Sequence, residues 1–362
     1  MKIEILSRKV VMSNDDSLFN YFGWPSICRL KNERLAMVAS GFRKKHVCPF
    51  GKTVISYSED EGKTWTLPAP VIDTLLDDRD GGITAFGDSS VIVTSFNNSI
   101  KFQRKSAANY ASNATFYNSY LDLVEKFKDW DKYLGSTFRI SHDNGITFGE
   151  IKKIPITCPH GPAEMPDGTL LYVGRKFSEN DSFREDENHL SCYKVYPDGT
   201  YEFMSEIENV EDNDLVSCEP YTIVLKSGKI LVHIRVQTRK SVDVFTTYQC
   251  ESTDGGKTFT KPHRLLEEKG GAPAHIIQDG DTIISTYGYR SAPYGIRAMF
   301  SHDEGETWET DQIIIDDAPN SDLGYPASVV LEDGSILTVF YMRSSNYEAS
   351  KIMQVIWRYN EN

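Results

Sequence analysis

Short apolar runs, many of them alternating with polar positions, recur along the whole chain and are separated by turn residues. Tyr221-Thr-Ile-Val-Leu225 and Ile230-Leu-Val-His-Ile234 form the clearest pair. Both are β-branched, and Lys226-Ser-Gly-Lys229 between them has the chemistry of a tight turn. Aligning on this strand-turn-strand unit gives six copies, at residues 24–40, 80–96, 159–175, 219–235, 271–287 and 325–341. Pro25, Gly81, His160, Pro220, Ala272 and Pro326 fall in one column, at spacings of 56, 79, 60, 52 and 54 residues. Repeats of this length, each with room for four strands, predict an all-β, six-bladed β-propeller. After the sixth copy one more strand pattern remains, at 352–359. Residues 1–12, with Ile3, Ile5, Val10 and Val11, can supply the outer strand of that last blade, so a single domain spanning 1–362 is expected.

The 79-residue spacing marks an insertion in the second blade, at about 97–136. Within it, residues 113–135 place Leu121, Val124, Phe127, Trp130 and Leu134 on one stripe, with Gly135 as a stop. This pattern predicts a helix that packs on the core or covers the site.

A second pattern runs out of phase with the first. Ser-x-Asp-x-Gly-x-Thr followed by Trp or Phe occurs four times, at Ser58–Trp65, Ser141–Phe148, Ser252–Phe259 and Ser301–Trp308. The Asp accepts bonds from backbone N–H groups just after it, Gly supplies the left-handed position, and the aromatic ring packs inward. Turn chemistry accounts for every polar residue of the box, and one Asp per copy is too few for a calcium loop.

With 40% hydrophobic residues among 362, the chain can bury a large core in one domain. A formal charge of −13 argues against nucleic acid or an anionic membrane as partner. The start, Met-Lys-Ile-Glu-Ile, lacks an apolar leader pattern, so a cytoplasmic location is expected. Six cysteines without close pairing are expected as free thiols.

Residues at the start of each copy converge on the central funnel of a propeller. Those positions hold Gly23-Trp24, Arg79-Asp80, Cys158-Pro159-His160, Cys218-Glu219, Gly270-Gly271 and Gly324-Tyr325. The ends of the second strands return there with Arg43, Lys44, Lys45 and His46, then Arg175, Arg235, Arg290 and Arg343. A cationic ring in so acidic a chain points to an anionic ligand, because guanidinium forks bind carboxylate, phosphate or sulfate; pairing with acidic loops is the alternative. Cys158, His160 and Cys218 with His46 or Cys48 offer a zinc set as a minor possibility.

The four boxes resemble the Asp-boxes of sialidases (neuraminidases), and the likeness runs through the whole chain. Ser217-Cys-Glu-Pro-Tyr-Thr-Ile-Val-Leu-Lys-Ser-Gly-Lys-Ile-Leu-Val-His-Ile-Arg235 is similar to the sialidase segment with a catalytic Glu and a carboxylate-binding arginine. Gly324-Tyr-Pro-Ala-Ser-Val-Val-Leu-Glu-Asp-Gly334 is similar to the segment that presents the nucleophilic tyrosine. The resemblance implies a cofactor-free glycoside hydrolase, with Tyr325 as nucleophile, Glu219 as its base and Arg235 in the clamp. Its substrate would be a small acidic sugar or oligosaccharide. A phenol suits a carboxylate-bearing anomeric centre, which would repel an Asp or Glu nucleophile. Two features depart from the family pattern. Phe22-Gly23-Trp24-Pro25 lacks the first clamp arginine, and residues 43–57 contain no Asp or Glu. Asp80 or His46 is then the candidate acid, and Arg79 or Arg43 the candidate clamp. Arg290 or Arg297 is the third arginine, and Trp24, His160 and Arg175 are further substrate contacts. A non-catalytic propeller that binds an anionic glycan is the alternative.

Overall fold

The computed structural model describes residues 1–109, 111–177, 189–210, 212, 214–239, 241, 243–347 and 349–360. Hairpin-connected antiparallel strands dominate, as the period-two patterning requires, and the sheets are arranged as an all-β propeller. Three sheets have four strands each: Arg79–Phe86 to Lys152–Lys153, Leu215–Val224 to His263–Arg264, and Ala274–Asp279 to Glu309–Ile315. A fourth is built on Leu170–Lys176, which pairs with two short segments, Ile156–Thr157 and Ala163–Glu164, on one edge. The largest sheet has eight strands and consists of two antiparallel units, joined only by the parallel bridge Tyr21–Ser350.

The innermost strands pack in a closed ring. Tyr21–Arg29 touches Arg79–Phe86 on one side and Leu323–Val330 on the other, and the circuit runs through Ala163–Glu164, Leu170–Lys176, Leu215–Val224 and Ala274–Asp279. Lys2–Met12 lies antiparallel to Ser350–Asn360, from Lys2 opposite Asn360 to Met12 opposite Ile352. The terminal strand is thereby covered rather than left as an open edge.

Each Asp-box is the turn between the third and fourth strands of its unit. In the box at Ser301, the serine Oγ donates to Asp303 Oδ1 at 2.7 Å and accepts from Gly305 N at 2.9 Å. The aspartate in turn accepts from Thr307 N at 2.9 Å and from Thr307 Oγ1 at 2.5 Å. The other three boxes repeat this set. These bonds hold the carboxyls of Asp60, Asp143 and Asp303 down at about 2. The boxes also clamp neighbouring units. A Cβ on Gly62 would come within 2.3 Å of Leu337, and one on Gly305 within 2.8 Å of Leu231, each in the neighbouring antiparallel unit. Trp65 Nε1 donates to Gln354 and Trp308 Nε1 to Gln249 across the same seams.

Between Ser90–Phe96 and Ser136–Ser141 the chain forms two helices, α1 (Ile100–Ala108) and α2 (Ala111–Val124). The single helix expected over 113–135 is corrected at both ends. It stops at Val124, and the highly charged stretch beyond it folds as turns, with Asp129 in the left-handed region at φ 61°. Leu121 and Val124 are buried with Ile100 and Leu76, whereas Phe127, expected on the same stripe, is 59% exposed. No helix among the described residues is long and apolar enough to cross a membrane. All six cysteines are free thiols.

Candidate active site

Four of the innermost strands carry a β-bulge at the same place. The register slips between Gly23 and Ser26, Arg79 and Gly82, Cys218 and Tyr221, and Gly324 and Ala327. At each slip one non-glycine residue is forced into the left-handed region: Trp24 (φ 53°), Asp80 (50°), Glu219 (47°) and Tyr325 (51°). Three of them precede proline, where that conformation is especially disfavoured. Strain of this kind costs about 1–3 kcal/mol per residue and persists where the surrounding structure holds it, so these four positions mark the candidate site.

Two of the four meet directly. Tyr325 Oη donates to Glu219 Oε1 at 2.8 Å. Arg235 Nη1 bridges the pair, at 2.6 Å from Glu219 Oε2 and 3.1 Å from Tyr325 Oη. Burial, followed by the Glu219 charge, pushes the Tyr325 phenol well above its ordinary pKa, so it rests protonated. Burial opposes the Arg235 charge, but Glu219 and Tyr325 more than offset it and hold its pKa up. Gln237 accepts from Arg235 Nε and Nη2, which fixes the plane of the guanidinium. Together these contacts form a phenol whose proton already points at a carboxylate, with a fixed cation beside both oxygens.

Asp80 faces the same trio and lines a cleft with Glu219, Arg175, Phe96, Phe102 and Phe177. Burial, reinforced by the charge of Glu219 and opposed by that of Arg79, raises its carboxyl to about 6. Asp80 can therefore hold a proton near neutrality and release it.

A profile of the BNR repeat-like domain matches residues 120–338, more than half of the chain and all four outer turns but the first. The chain belongs to the BNR repeat-like family. Comparison with curated protein sequences gave no match. Among solved structures, a Dyadobacter fermentans protein of unknown function superposes with a TM-score of 0.77 at 19% identity, over 99% of both chains. The NanB sialidase of Streptococcus pneumoniae gives 0.67 at 13% identity, over 96% of this chain and 70% of its own. Trypanosoma rangeli sialidase in complex with the inhibitor DANA gives 0.63 at 14%, over 93% and 55%. Likeness at these identities concerns the fold.

The remaining candidates of this BNR propeller separate into those that face the site and those that support it. Arg290 faces it, stacked over Phe245 and Tyr325 with guanidinium-to-centroid distances of 5.0 and 5.8 Å. Arg297 instead pairs with Asp311 at 2.9 Å and lies on Tyr289, so of the two only Arg290 stacks on Tyr325. Arg175 lines the Asp80 cleft. Arg43, expected as a possible clamp, is corrected to a support: it is fully buried and pairs with the equally buried Asp77 at 2.5 Å. Arg79 lies over the Trp24 ring at 4.6 Å and its Nη2 meets His46 Nε2 at 3.2 Å. His46 as an acid is likewise corrected. Burial first, and then Arg79, Arg43, Arg290 and Arg343, push its pKa well below the ordinary range, so it is neutral and has no proton to spare for a leaving group.

Trp24 and His160 are buried beneath the mouth. Trp24 is 1% exposed, with His46 edge-on at 4.8 Å and the Tyr325 ring at 6.4 Å. His160 packs edge-on to His275 at 5.2 Å and to Tyr221 at 5.5 Å. Among the described residues, no group of three or more His, Cys, Asp or Glu side chains is placed to hold a metal ion, so the Cys158–His160–Cys218 set is not assembled as a ligand cage. Tyr341, Gln237 and Phe245 were not anticipated from sequence. Tyr341 Oη donates to Asp322 at 2.8 Å and accepts from Arg290, and neither its spacing nor its type distinguishes it from a core tyrosine.

Proposed function

We propose that this chain is an exo-acting glycoside hydrolase built on six blades, with its two helices inserted in the second, and that it cleaves a sialic-acid-like or other acidic sugar from a small glycan. The observation that carries this reading is the trio of Tyr325, Glu219 and Arg235, aimed by bulged backbone into one mouth. In the first step the Tyr325 oxygen attacks the anomeric carbon while its proton passes to Glu219. Asp80 gives its proton to the departing glycosidic oxygen. In the second step water displaces the tyrosine, Asp80 takes the water proton, and Glu219 returns a proton to the phenolic oxygen. Arg290, with Arg235 and Arg79 beside it, supplies positive charge for the sugar carboxylate. The neighbours include a Trypanosoma rangeli sialidase solved with a covalent intermediate from 2,3-difluorosialic acid, which supports a covalent route on this fold. The substrate is met in the cytoplasm as an imported or recycled oligosaccharide.

A hydrolysis panel of sialosides, other keto-acid sugars and uronic-acid glycosides tests the proposal. Turnover of one acidic class, lost in Tyr325→Phe, supports it; no turnover across the panel sinks it. A non-catalytic glycan-binding propeller is favoured by one observation, the Gln237 bonds that already occupy Nε and Nη2 of Arg235. Glycan binding with no turnover in the same panel would select that reading.

A further inference from the structure

His46 is neutral and has no proton to give, yet it touches the cation that stands beside Asp80. Arg79 Nη2 lies 3.2 Å from His46 Nε2. A guanidinium can only donate, so Nε2 accepts, and the single proton of the neutral ring sits on Nδ1, 3.4 Å from Tyr21 Oη. The loop is tied down as well, because Arg43 Nη2 donates to the His46 carbonyl at 2.8 Å.

Arg79 is 6% exposed and is held on three sides: Nη2 by His46, its face by the Trp24 ring at 4.6 Å, and Nη1 by Asp77 at 3.9 Å. Its Nε comes within 3.6 Å of Asp80 Oδ1, and neither of these two buried atoms has a hydrogen-bond partner among the described residues. Two such atoms, of opposite charge and less than an ångström beyond bonding distance, would close on each other if Arg79 could move. The gap matters for an acid. A full bond from Arg79 would hold the Asp80 carboxyl ionised, whereas with no cation at hand burial and the charge of Glu219 would hold it protonated.

We propose that His46 is a positioning residue: by accepting from Arg79 Nη2 it stops the guanidinium short of Asp80, which leaves that carboxyl able to give up its proton and take it back. Besides Arg79, the groups that face Asp80 are Glu219, Arg43, Asp77 and Tyr325, and Arg175 shares its cleft. The effect on rate rests on the glycosidase reading; the effect on the Asp80 proton does not.

Carboxyl NMR of the full chain labelled with ¹³C at aspartate tests the role without substrate, the Asp80 signal being the one lost in Asp80→Asn. In the parent protein that signal titrates at about 6. In His46→Ala, Arg79 closes on Asp80 and the midpoint falls by about one to two pH units. His46→Gln, whose amide oxygen can accept from Arg79, restores it. If turnover is found, the alkaline limb of kcat moves to lower pH by the same amount in His46→Ala, because Asp80 loses its proton earlier. A check on the unsubstituted protein is the ¹⁵N spectrum of His46, which should show the proton on Nδ1. A midpoint that is unchanged or raised in His46→Ala, no recovery in His46→Gln, or a proton on Nε2 overturns the role. Failure of the hydrolysis panel would remove only the kinetic readout and leave the titration to decide.

Discussion

At the scale of single residues, the proposed chemistry rests on where three protons sit. Tyr325 is protonated and bonded to Glu219, Asp80 titrates at about 6, and His46 is neutral. Tyr325→Phe and Glu219→Gln should each lower kcat by about 10²–10⁴-fold while the melting temperature holds, read by steady-state kinetics and calorimetry. Asp80 works as an acid only while protonated, so its raised pKa places the alkaline limb of kcat near pH 6. Activity is kept below that value and lost above it. Asp80→Asn should remove the limb along with most of the rate, and a limb that survives the substitution would show that another group is the acid. Much of this mouth was legible in sequence, because the residue before each column Pro or Gly is the one that the bulge aims. The pairing of the cations was not. Arg43 and Arg79 are both candidate clamps in sequence, and only the fold reveals that Asp77, thirty-four residues from Arg43, pairs with Arg43 inside the core while Arg79 is buried against Trp24 and His46.

At the scale of elements, the Asp-boxes are structural clamps and the bulged strands carry the candidate site. Ser301 is 1% exposed, and its hydroxyl ties Asp303 to Gly305. Ser301→Ala leaves Gly305 N without its partner and should cost about 1–3 kcal/mol of stability with kcat unchanged, measured by denaturant unfolding alongside activity. The six hairpins were readable because period-two patterning recurs in every copy and a turn glycine in five of them, Glu33 taking the left-handed position in the first. The helices were read poorly. α1 is only nine residues long with little apolar periodicity, and the stripe assigned to 113–135 continues on paper past the point where Asp129 turns the backbone left-handed.

At the scale of the molecule, the inner strands form a closed ring whose covering depends on residues from both ends of the chain. Deleting residues 1–12 would expose the eleven-residue edge of Ser350–Asn360. An uncovered edge of that length should lower the melting temperature and promote association, visible by light scattering, because its ladder groups are free to pair with another chain. The ring also explains how a four-residue column scattered over three hundred positions becomes one cluster, which sequence spacing could suggest but only closure could deliver. The most direct test of the proposed chemistry is mass spectrometry of the protein after reaction with 2-deoxy-2-fluoro and 3-fluoro glycosyl fluorides of the acidic sugars in the panel. A single covalent glycosyl adduct on the peptide containing Tyr325, absent in Tyr325→Phe, is the expected result. An adduct on a different residue, or turnover that proceeds unchanged in Tyr325→Phe, would contradict a tyrosine nucleophile at this site.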